Sequence, residues 1–579
     1  MSARDHKYKS PKTAVVVPLR RARFLLVCFL LAFVALIGRA LHLQGLNTDF
    51  LQAQGEKRYL HNLSLPAVRG KVFDRHGKVV LASSVLVKAI WANPVNVARA
   101  SDQQLTQVAD LLNMPIDTLK RLVSQGGREF AYLKRQVELP IAEQIMALKV
   151  PGIGAADEAR RVYPEGELVS QIVGITDIDG RGTAGVELAF NTELAGESGT
   201  RKVVRDRLGH ILEDAADLIP PQHGKDLYLS IDAGMQYDTY EALKKAMLET
   251  KAQAVSALVA DVQTGEILAL VNLPTYDPAN RNSIRPELTR NRALTDTFEP
   301  GSTMKPFTVA LALDLQRIST QTQFDTGNGK YQYKGHTISD VSRHNGVLNA
   351  AGILRRSSNI GMTMISEILS SEEMWQAFNL LGFGRAPQIG FPGTVAGRLR
   401  PWDRWRPIER ATMAYGYGLS TSLIQLAQAY TVFARQGDMV SLTLMKRDSK
   451  PTTIPVFKPE VAVAVRQMLE EAAGPDGAAL AQVQGYKVAG KSGTARKIVN
   501  GKYSTQLYRG SFVGFAPAAN PRIVVAVSID EPQGHYFGGR VAAPVFADIV
   551  ASSLRRLEIE PDEPVDALVA LGTNQENTD

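Results

Sequence analysis

Cysteine is all but missing from this 579-residue chain: Cys28 stands alone, so no intramolecular disulfide can form, and cysteine usage says nothing about the redox compartment. The 9 histidines are scattered without metal-ligand spacing, which argues against a metalloenzyme, and neither a metal nor any other cofactor is expected. Repeats and collagenous runs are absent. With 45% hydrophobic and 21% charged residues the composition is close to the globular average, so the bulk of the chain should fold. The formal net charge of +8 is front-loaded and accompanied by no nucleic-acid-binding motif, so no nucleic-acid partner is expected. The length exceeds what one core usually organises and calls for two or more folded parts.

Long apolar runs are also missing, with one exception. Lys7, Lys9, Lys12, Arg20, Arg21 and Arg23 precede an apolar run from Phe24 to Gly38, which resumes through Leu43 after Arg39. Arg39 lies near the far end, where a long side chain can snorkel to the headgroups. The basic flank puts residues 1–23 in the cytoplasm, makes residues 24–43 a single-pass anchor and leaves the rest outside the membrane. A cleaved signal peptide is the alternative, but Gly38, Arg39, Ala40, Leu41 and His42 make a poor cleavage site.

Beyond the anchor the chain divides at a turn-rich break, Pro220-Pro221-Gln222-His223-Gly224. Residues 44–224 mix short strand-like runs with helical patterns such as Asp102 to Leu112, the signature of an irregular α+β module. Residues 225–560 form a second α+β part. In it Leu227, Leu229 and Ile231 alternate as in a strand, Val255–Ala260 and Ile267–Val271 make one antiparallel hairpin, and Ser511–Phe515 and Ile523–Ile529 make another. Helices are expected over Ser302–Gln316 and Val545–Leu557. Residues 561–579 are acidic, poor in packing residues and expected to be disordered.

The chemistry sits in the second part. In Glu299-Pro300-Gly301-Ser302-Thr303-Met304-Lys305-Pro306 a turn leads into an apolar helix, with Pro306 tolerable in its first turn. Ser302 therefore sits near a helix N-terminus, where developing negative charge is favoured, and a three-residue spacing puts Lys305 on its face. Serine is a weak nucleophile unless a base takes its proton, and lysine serves only when burial or nearby cations depress its pKa. S-x-x-K alone is weak, since a capping serine followed by a solvated lysine looks the same. It is followed, however, by Ser357-Ser358-Asn359 at the end of a short helical segment, and by Lys491-Ser492-Gly493-Thr494 after the strand-like Tyr486–Ala489. That ordered set belongs to penicillin-binding proteins and class A β-lactamases.

Arg69-Gly70-Lys71-Val72-Phe73-Asp74-Arg75-His76-Gly77 resembles the start of the class B penicillin-binding-protein pedestal, a dimerisation-like module, as do Arg161-Val162-Tyr163-Pro164 and Gly185-Val186-Glu187. Tyr415-Gly416-Tyr417-Gly418, Tyr536-Phe537-Gly538-Gly539 and Ala543-Pro544-Val545-Phe546 resemble the cell-division (septal, FtsI-type) transpeptidases. One departure is Ser422-Leu423-Ile424-Gln425, where relatives carry Thr-Pro-Leu-Gln, so a proline is lost at the start of a helix. The resemblance covers nearly the whole chain from the anchor to about residue 560. It implies an α+β multidomain protein: a transmembrane helix, an elongated α+β pedestal, and a penicillin-binding transpeptidase domain whose antiparallel sheet is flanked by helices.

What the resemblance implies for chemistry is a peptidoglycan D,D-transpeptidase that cross-links stem peptides through a serine acyl-enzyme and is blocked by β-lactam antibiotics. Ser302 would be the nucleophile, Lys305 the base, Ser357 a proton relay, Asn359 a holder of the substrate amide and Lys491 a fixed positive charge. Ser492 and Thr494 would bind the substrate carboxylate, and Gly493 would let the strand lie close to the substrate. Tyr508, Tyr536 and Phe537 either wall the site or pack in a core. Implied partners are the bacterial inner membrane, a polytopic septal glycan polymerase and other division proteins, with the catalytic part in the periplasm. An elongation-type class B enzyme, and a non-catalytic β-lactam sensor or division scaffold, remain as alternatives. A β-lactamase would lack both anchor and pedestal, and no glycosyltransferase motif lies upstream.

Overall fold

The computed structural model describes residues 18–46, 60–124, 130–205 and 211–563. Most of the expected cytoplasmic tail and the acidic C-terminal tail from residue 564 lie outside the described residues. The chain falls into two compact units: residues 1–67 with 197–222, and residues 68–196 with 223–579.

In the first unit, helix α1 (Leu19–Leu41) runs without a buried residue and ends in a wider turn, His42–Leu46. It starts earlier than the apolar run because Pro18 precedes it and the three arginines of its first turns are good helix formers. The apolar helical stretch Leu19–Gly45 is long enough to cross a bilayer. The same unit holds a three-stranded antiparallel sheet of Leu60–Leu65, Gly199–Arg205 and Ile211–Ile219, in that order.

The second unit begins with a sheet built round the long strand β1 (Val80–Ala92), which pairs antiparallel with β2 (Ala131–Val137) and β3 (Ile153–Val162). Helix α2 (Asp102–Leu111) is held by a capping box between Ser101 and Gln104 and buries Leu105, Val108 and Ala109 against this sheet's own core. Three sequence motifs meet at one buried carboxylate. Glu187 takes Arg69 Nε at 2.6 Å on one oxygen and Arg161 Nε at 2.6 Å on the other, while Arg69 also reaches Asn191 Oδ1 at 2.9 Å. The glycine after Arg69 is dictated by contact: a Cβ on Gly70 would lie 2.0 Å from the Lys225 carbonyl oxygen.

The larger part of the second unit is organised by a five-stranded antiparallel sheet of β4 (Ala254–Asp261), β5 (Ile267–Leu273), β6 (Ala489–Val499), β7 (Lys502–Ala516) and β8 (Ile523–Asp530). The strand order is β5-β4-β8-β7-β6, which leaves β6 at an edge. Every residue of β4, β5 and β8 is buried, because helices cover both faces, and so these strands read in the sequence as apolar runs rather than as alternation. One face carries α3 (Ala233–Thr250) and α9 (Ala543–Arg556); the other faces a larger core with α4 (Lys305–Asp314), α5 (Ala350–Arg356), α6 (Asn359–Glu367), α7 (Leu423–Ala434) and α8 (Pro459–Ala473).

Two expectations shift. Leu227 and Tyr228 make only a two-residue strand, parallel to Val72–Phe73, and Leu229 continues as an isolated bridge to Met445. The strand expected at Tyr486–Ala489 begins only at Ala489, since Tyr486 is held in a tight turn by Val483, and the strand carries Lys491 to Thr494 within it. The missing proline before α7 costs the helix nothing visible: Ser422 and Gln425 form a capping box that opens it.

Glu187→Ala leaves two buried guanidinium groups without their shared partner, so it should destabilise the protein by about 3–5 kcal/mol. Urea or thermal unfolding of the variant checks this; a loss below about 1 kcal/mol contradicts the reading of the triad as a buried, mutually dependent unit.

Candidate active site

Ser302 lies in a single 3-10 turn, Gly301–Met304, which leads into α4. The turn is fixed from two sides. Gly301 has φ +57° and donates its N–H to the Gly416 carbonyl at 3.0 Å, and a Cβ on Gly416 would stand 2.0 Å from the Gly301 oxygen. Tyr430 donates its hydroxyl to the Thr303 carbonyl at 2.8 Å from the fully buried side, where it meets Phe307 edge-on. Phe307 in turn stacks on Phe433.

In such a turn residues three apart are nearly eclipsed, which places Lys305 on the same side as Ser302. The link between them runs through a third group. Lys305 Nζ lies 3.2 Å from Ser357 Oγ, and Ser357 Oγ donates to Ser302 Oγ at 2.9 Å. Lys305 Nζ also lies 2.5 Å from the Ser357 carbonyl and 2.9 Å from Asn359 Oδ1, so as a neutral amine it can donate to these two and keep its lone pair for the Ser357 hydroxyl. Ser357 occupies a left-handed position (φ +55°) at the end of α5, and the next residue, Ser358, caps α6 through the Gly361 N–H. The S-x-N motif is thus the junction of two helices and not merely the end of one.

A residue without any sequence motif holds that junction. Asp340 accepts the backbone N–H groups of Asn359 at 2.6 Å and Ile360 at 3.0 Å on one oxygen, and the Ser358 hydroxyl at 2.6 Å and Asn345 Nδ2 at 2.9 Å on the other. It is nine-tenths buried and sits at the N-terminus of α6, where a negative charge is favoured.

Lys305 is fully buried, and burial followed by the charge of Lys491 holds its pKa well below the ordinary lysine value; Asp340 pulls in the opposite direction without reversing it. Lys491 is itself buried, and that burial lowers its pKa to about 8. Its ammonium points to the Ser492 carbonyl at 3.1 Å.

An open cleft of about 460 Å³ fronts this assembly, lined by Ser302, Ser357, Asn359, Ser492 and Thr494 and, on its outer wall, by Tyr508, Tyr536 and Phe537. Of the two readings of the aromatics, lining is the one observed: Tyr508 stacks on Tyr536 at 4.0 Å between ring centroids, and Tyr536 meets Phe537 at 4.7 Å. Lys305 and Lys491 lie behind the cleft surface. Gly493 faces away from the cleft, in the opposite sense to Ser492 and Thr494; a Cβ there would come within 2.6 Å of Ser511 Oγ and 2.9 Å of the Pro300 carbonyl. Its requirement is close packing of β6 on the Ser302 turn, which corrects the expectation that the glycine makes room for a substrate. Sequence reasoning gave no place in the site to Tyr417, known there only as part of a motif, whose hydroxyl reaches the Thr494 carbonyl at 3.3 Å, or to Arg496, which the two-residue period of a strand would have placed beside Ser492 and Thr494.

Chemically, the arrangement offers a serine hydroxyl joined by hydrogen bonds to a buried amine, a second cation beside it, and an edge strand open to an extended ligand. Residues 255–551 match the penicillin-binding protein transpeptidase domain, and residues 64–229 match the penicillin-binding protein dimerisation domain. The chain belongs to the penicillin-binding protein family, as a D,D-transpeptidase that carries the dimerisation module. It is 40% identical to the probable peptidoglycan D,D-transpeptidase PenA of Neisseria gonorrhoeae over 98% of this chain and 97% of that one. It is 38% identical to the peptidoglycan D,D-transpeptidase FtsI of Escherichia coli K12 over 93% and 92%. Among solved structures, the transpeptidase domain of Burkholderia pseudomallei penicillin-binding protein 3 shares 51% identity and a TM-score of 0.54, covering 58% of this chain and 98% of that one.

Asp340→Asn keeps the shape but removes the charge and part of the accepting capacity at the helix junction, so acylation by a penicillin should slow by roughly 10–100-fold, the equivalent of one charge-assisted hydrogen bond. Stopped-flow or quenched acylation kinetics checks this; a rate within about twofold of the wild type contradicts the positioning role.

Proposed function

We propose that this protein is a membrane-anchored septal peptidoglycan D,D-transpeptidase whose nucleophile is Ser302. The observation that carries the reading is the hydrogen-bonded chain Ser302–Ser357–Lys305, with a buried amine at its end. Ser302 Oγ attacks the carbonyl between the two terminal D-alanines of a stem peptide. Its proton passes to Ser357 and on to Lys305, the hydroxyl of Ser357 reversing the sense of its hydrogen bonds as it does so. The C–N bond breaks, D-alanine leaves with a proton returned through Ser357, and an ester on Ser302 remains. A second stem's amine then attacks the ester, forms the cross-linking amide and restores the serine hydroxyl.

The remaining groups take roles suited to their places. Asn359 Nδ2 and Oδ1 hold the substrate amide, and Ser492 and Thr494, backed by the Lys491 charge, receive the terminal carboxylate. The backbone N–H groups of Ser302 and Thr494 serve as the oxyanion hole. A β-lactam acylates Ser302 in the same way and stays, because the acyl-enzyme is badly placed for water.

The anchor and architecture support the location. The basic residues that precede the apolar run put the N-terminus in the cytoplasm and the catalytic part in the periplasm, with residues 44–224 as pedestal, 225–560 as transpeptidase domain and 561–579 as a C-terminal tail. The septal assignment rests on the Tyr415–Gly418, Tyr536–Gly539 and Ala543–Phe546 motifs. A polytopic glycan polymerase and other division proteins are the partners that assignment carries.

Intact-mass spectrometry of the full chain in detergent after several hours with benzylpenicillin tests the nucleophile. The expected result is a persistent one-to-one adduct that Ser302→Ala abolishes; an adduct that survives the substitution, or rapid turnover of the drug, contradicts the assignment.

A further inference from the structure

We infer that Arg496 and Arg356 read an acidic side chain on the donor peptide, upstream of its terminal D-alanyl pair, so that this site favours donors whose side-chain carboxylate is free over donors in which it is amidated. The inference rests on the transpeptidase reading of Ser302.

The cleft in front of Ser302 is lined by two guanidinium groups and by no carboxylate. Arg356 is the last residue of α5, immediately before Ser357, and Arg496 stands on β6, so the two come from different walls. Both are exposed, and neither has an ion-pair or hydrogen-bond partner for its side chain among the described residues. Adjacent cations do find acids: Arg355, next to Arg356, pairs with Glu471 at 3.8 Å, and Arg509, opposite Ala495 on the neighbouring strand, pairs with Asp530 at 3.0 Å. Two like charges facing one cleft, with Lys491 buried behind it, raise the local positive potential, and an anionic ligand is what relieves it.

Register indicates where on the ligand that charge falls. Ser492, Thr494 and Arg496 share the face of β6 that borders the cleft, and one strand repeat of two residues carries the chain about 7 Å from Thr494 to Arg496. A donor laid along this edge strand advances by the same rise. With its terminal carboxylate at Ser492 and Thr494 and the scissile carbonyl at Ser302, its upstream residue lies beside Arg496. Tyr508 is the cross-strand partner of Arg496 and stacks on Tyr536, closing the side of the cleft behind the guanidinium. A carboxylate can accept two parallel N–H groups from the planar guanidinium fork. A carboxamide of almost the same shape offers one accepting oxygen and no charge, so amidation tests the charge rather than the fit.

The test uses the full chain in detergent and two synthetic acyl-tripeptides ending in D-alanyl-D-alanine that differ only in a carboxylate or a carboxamide on the upstream diamino-acid side chain. The reading is the ratio of kcat/KM for D-alanine release, with benzylpenicillin labelling of Ser302 run on the same wild-type sample. The wild type should prefer the acidic donor by about tenfold, the double variant Arg356→Gln/Arg496→Gln should bring the ratio to within about twofold, and Arg496→Glu should reverse it. A labelled wild type that shows no preference, or a double variant that keeps the preference, overturns the inference while leaving the Ser302 assignment standing. A wild type that penicillin does not label removes both.

Discussion

An amine buried beside a second amine cannot comfortably hold its proton, and the surroundings of Lys305 are arranged round that constraint. Desolvation alone disfavours the ammonium form, and Lys491, itself out of water, adds repulsion. An isolated buried amine would still be a polar group in need of partners. The Ser357 carbonyl, the Ser357 hydroxyl and Asn359 Oδ1 supply them, so the group is held in place without a salt bridge that would restore its charge. Asp340, the nearby carboxylate, is occupied by four other donors and spends its charge on the end of α6.

The fold serves that arrangement by bringing three distant stretches to one point. The Ser302 turn is packed between Gly416 and the aromatic cluster of Phe307, Tyr430 and Phe433, the S-x-N junction is pinned by Asp340, and β6 lies against the turn because position 493 has no side chain. Each contact is short range and stereochemically demanding. The geometry around Ser302 therefore belongs to the packed core of the second unit rather than to its loops. The pedestal residues use the same logic with a different currency: Arg69, Arg161 and Glu187, separated by more than a hundred positions at the extremes, are tied by one buried carboxylate.

Much of this was legible in the sequence because the spacing of the motifs reflects local geometry. S-x-x-K reads as one helical turn, and the apolar runs at Val255–Ala260 and Ile523–Ile529 read as strands because both their faces are covered. What was not legible depends on contacts between remote residues. Nothing near Asp340 in sequence announces that its four partners lie at positions 345 and 358–360, and the bridging position of Ser357 between Ser302 and Lys305 follows only from packing. The role of Gly493 was misread for the same reason: a strand glycine signals close approach, but the sequence does not say on which face. Arg496 was readable in principle, by extending the strand two residues beyond Thr494.

The most direct test of the account is the pH dependence of the second-order rate constant for penicillin acylation of the wild-type chain. With the Lys305 pKa held well below the ordinary lysine value, the rate should be high near neutrality, and should fall as pH rises through about 8 and Lys491 loses its proton. A rate that instead climbs steadily toward pH 10.5, where an unperturbed lysine would lose its proton, would show that Lys305 is an ordinary cation and that the buried amine is not the base.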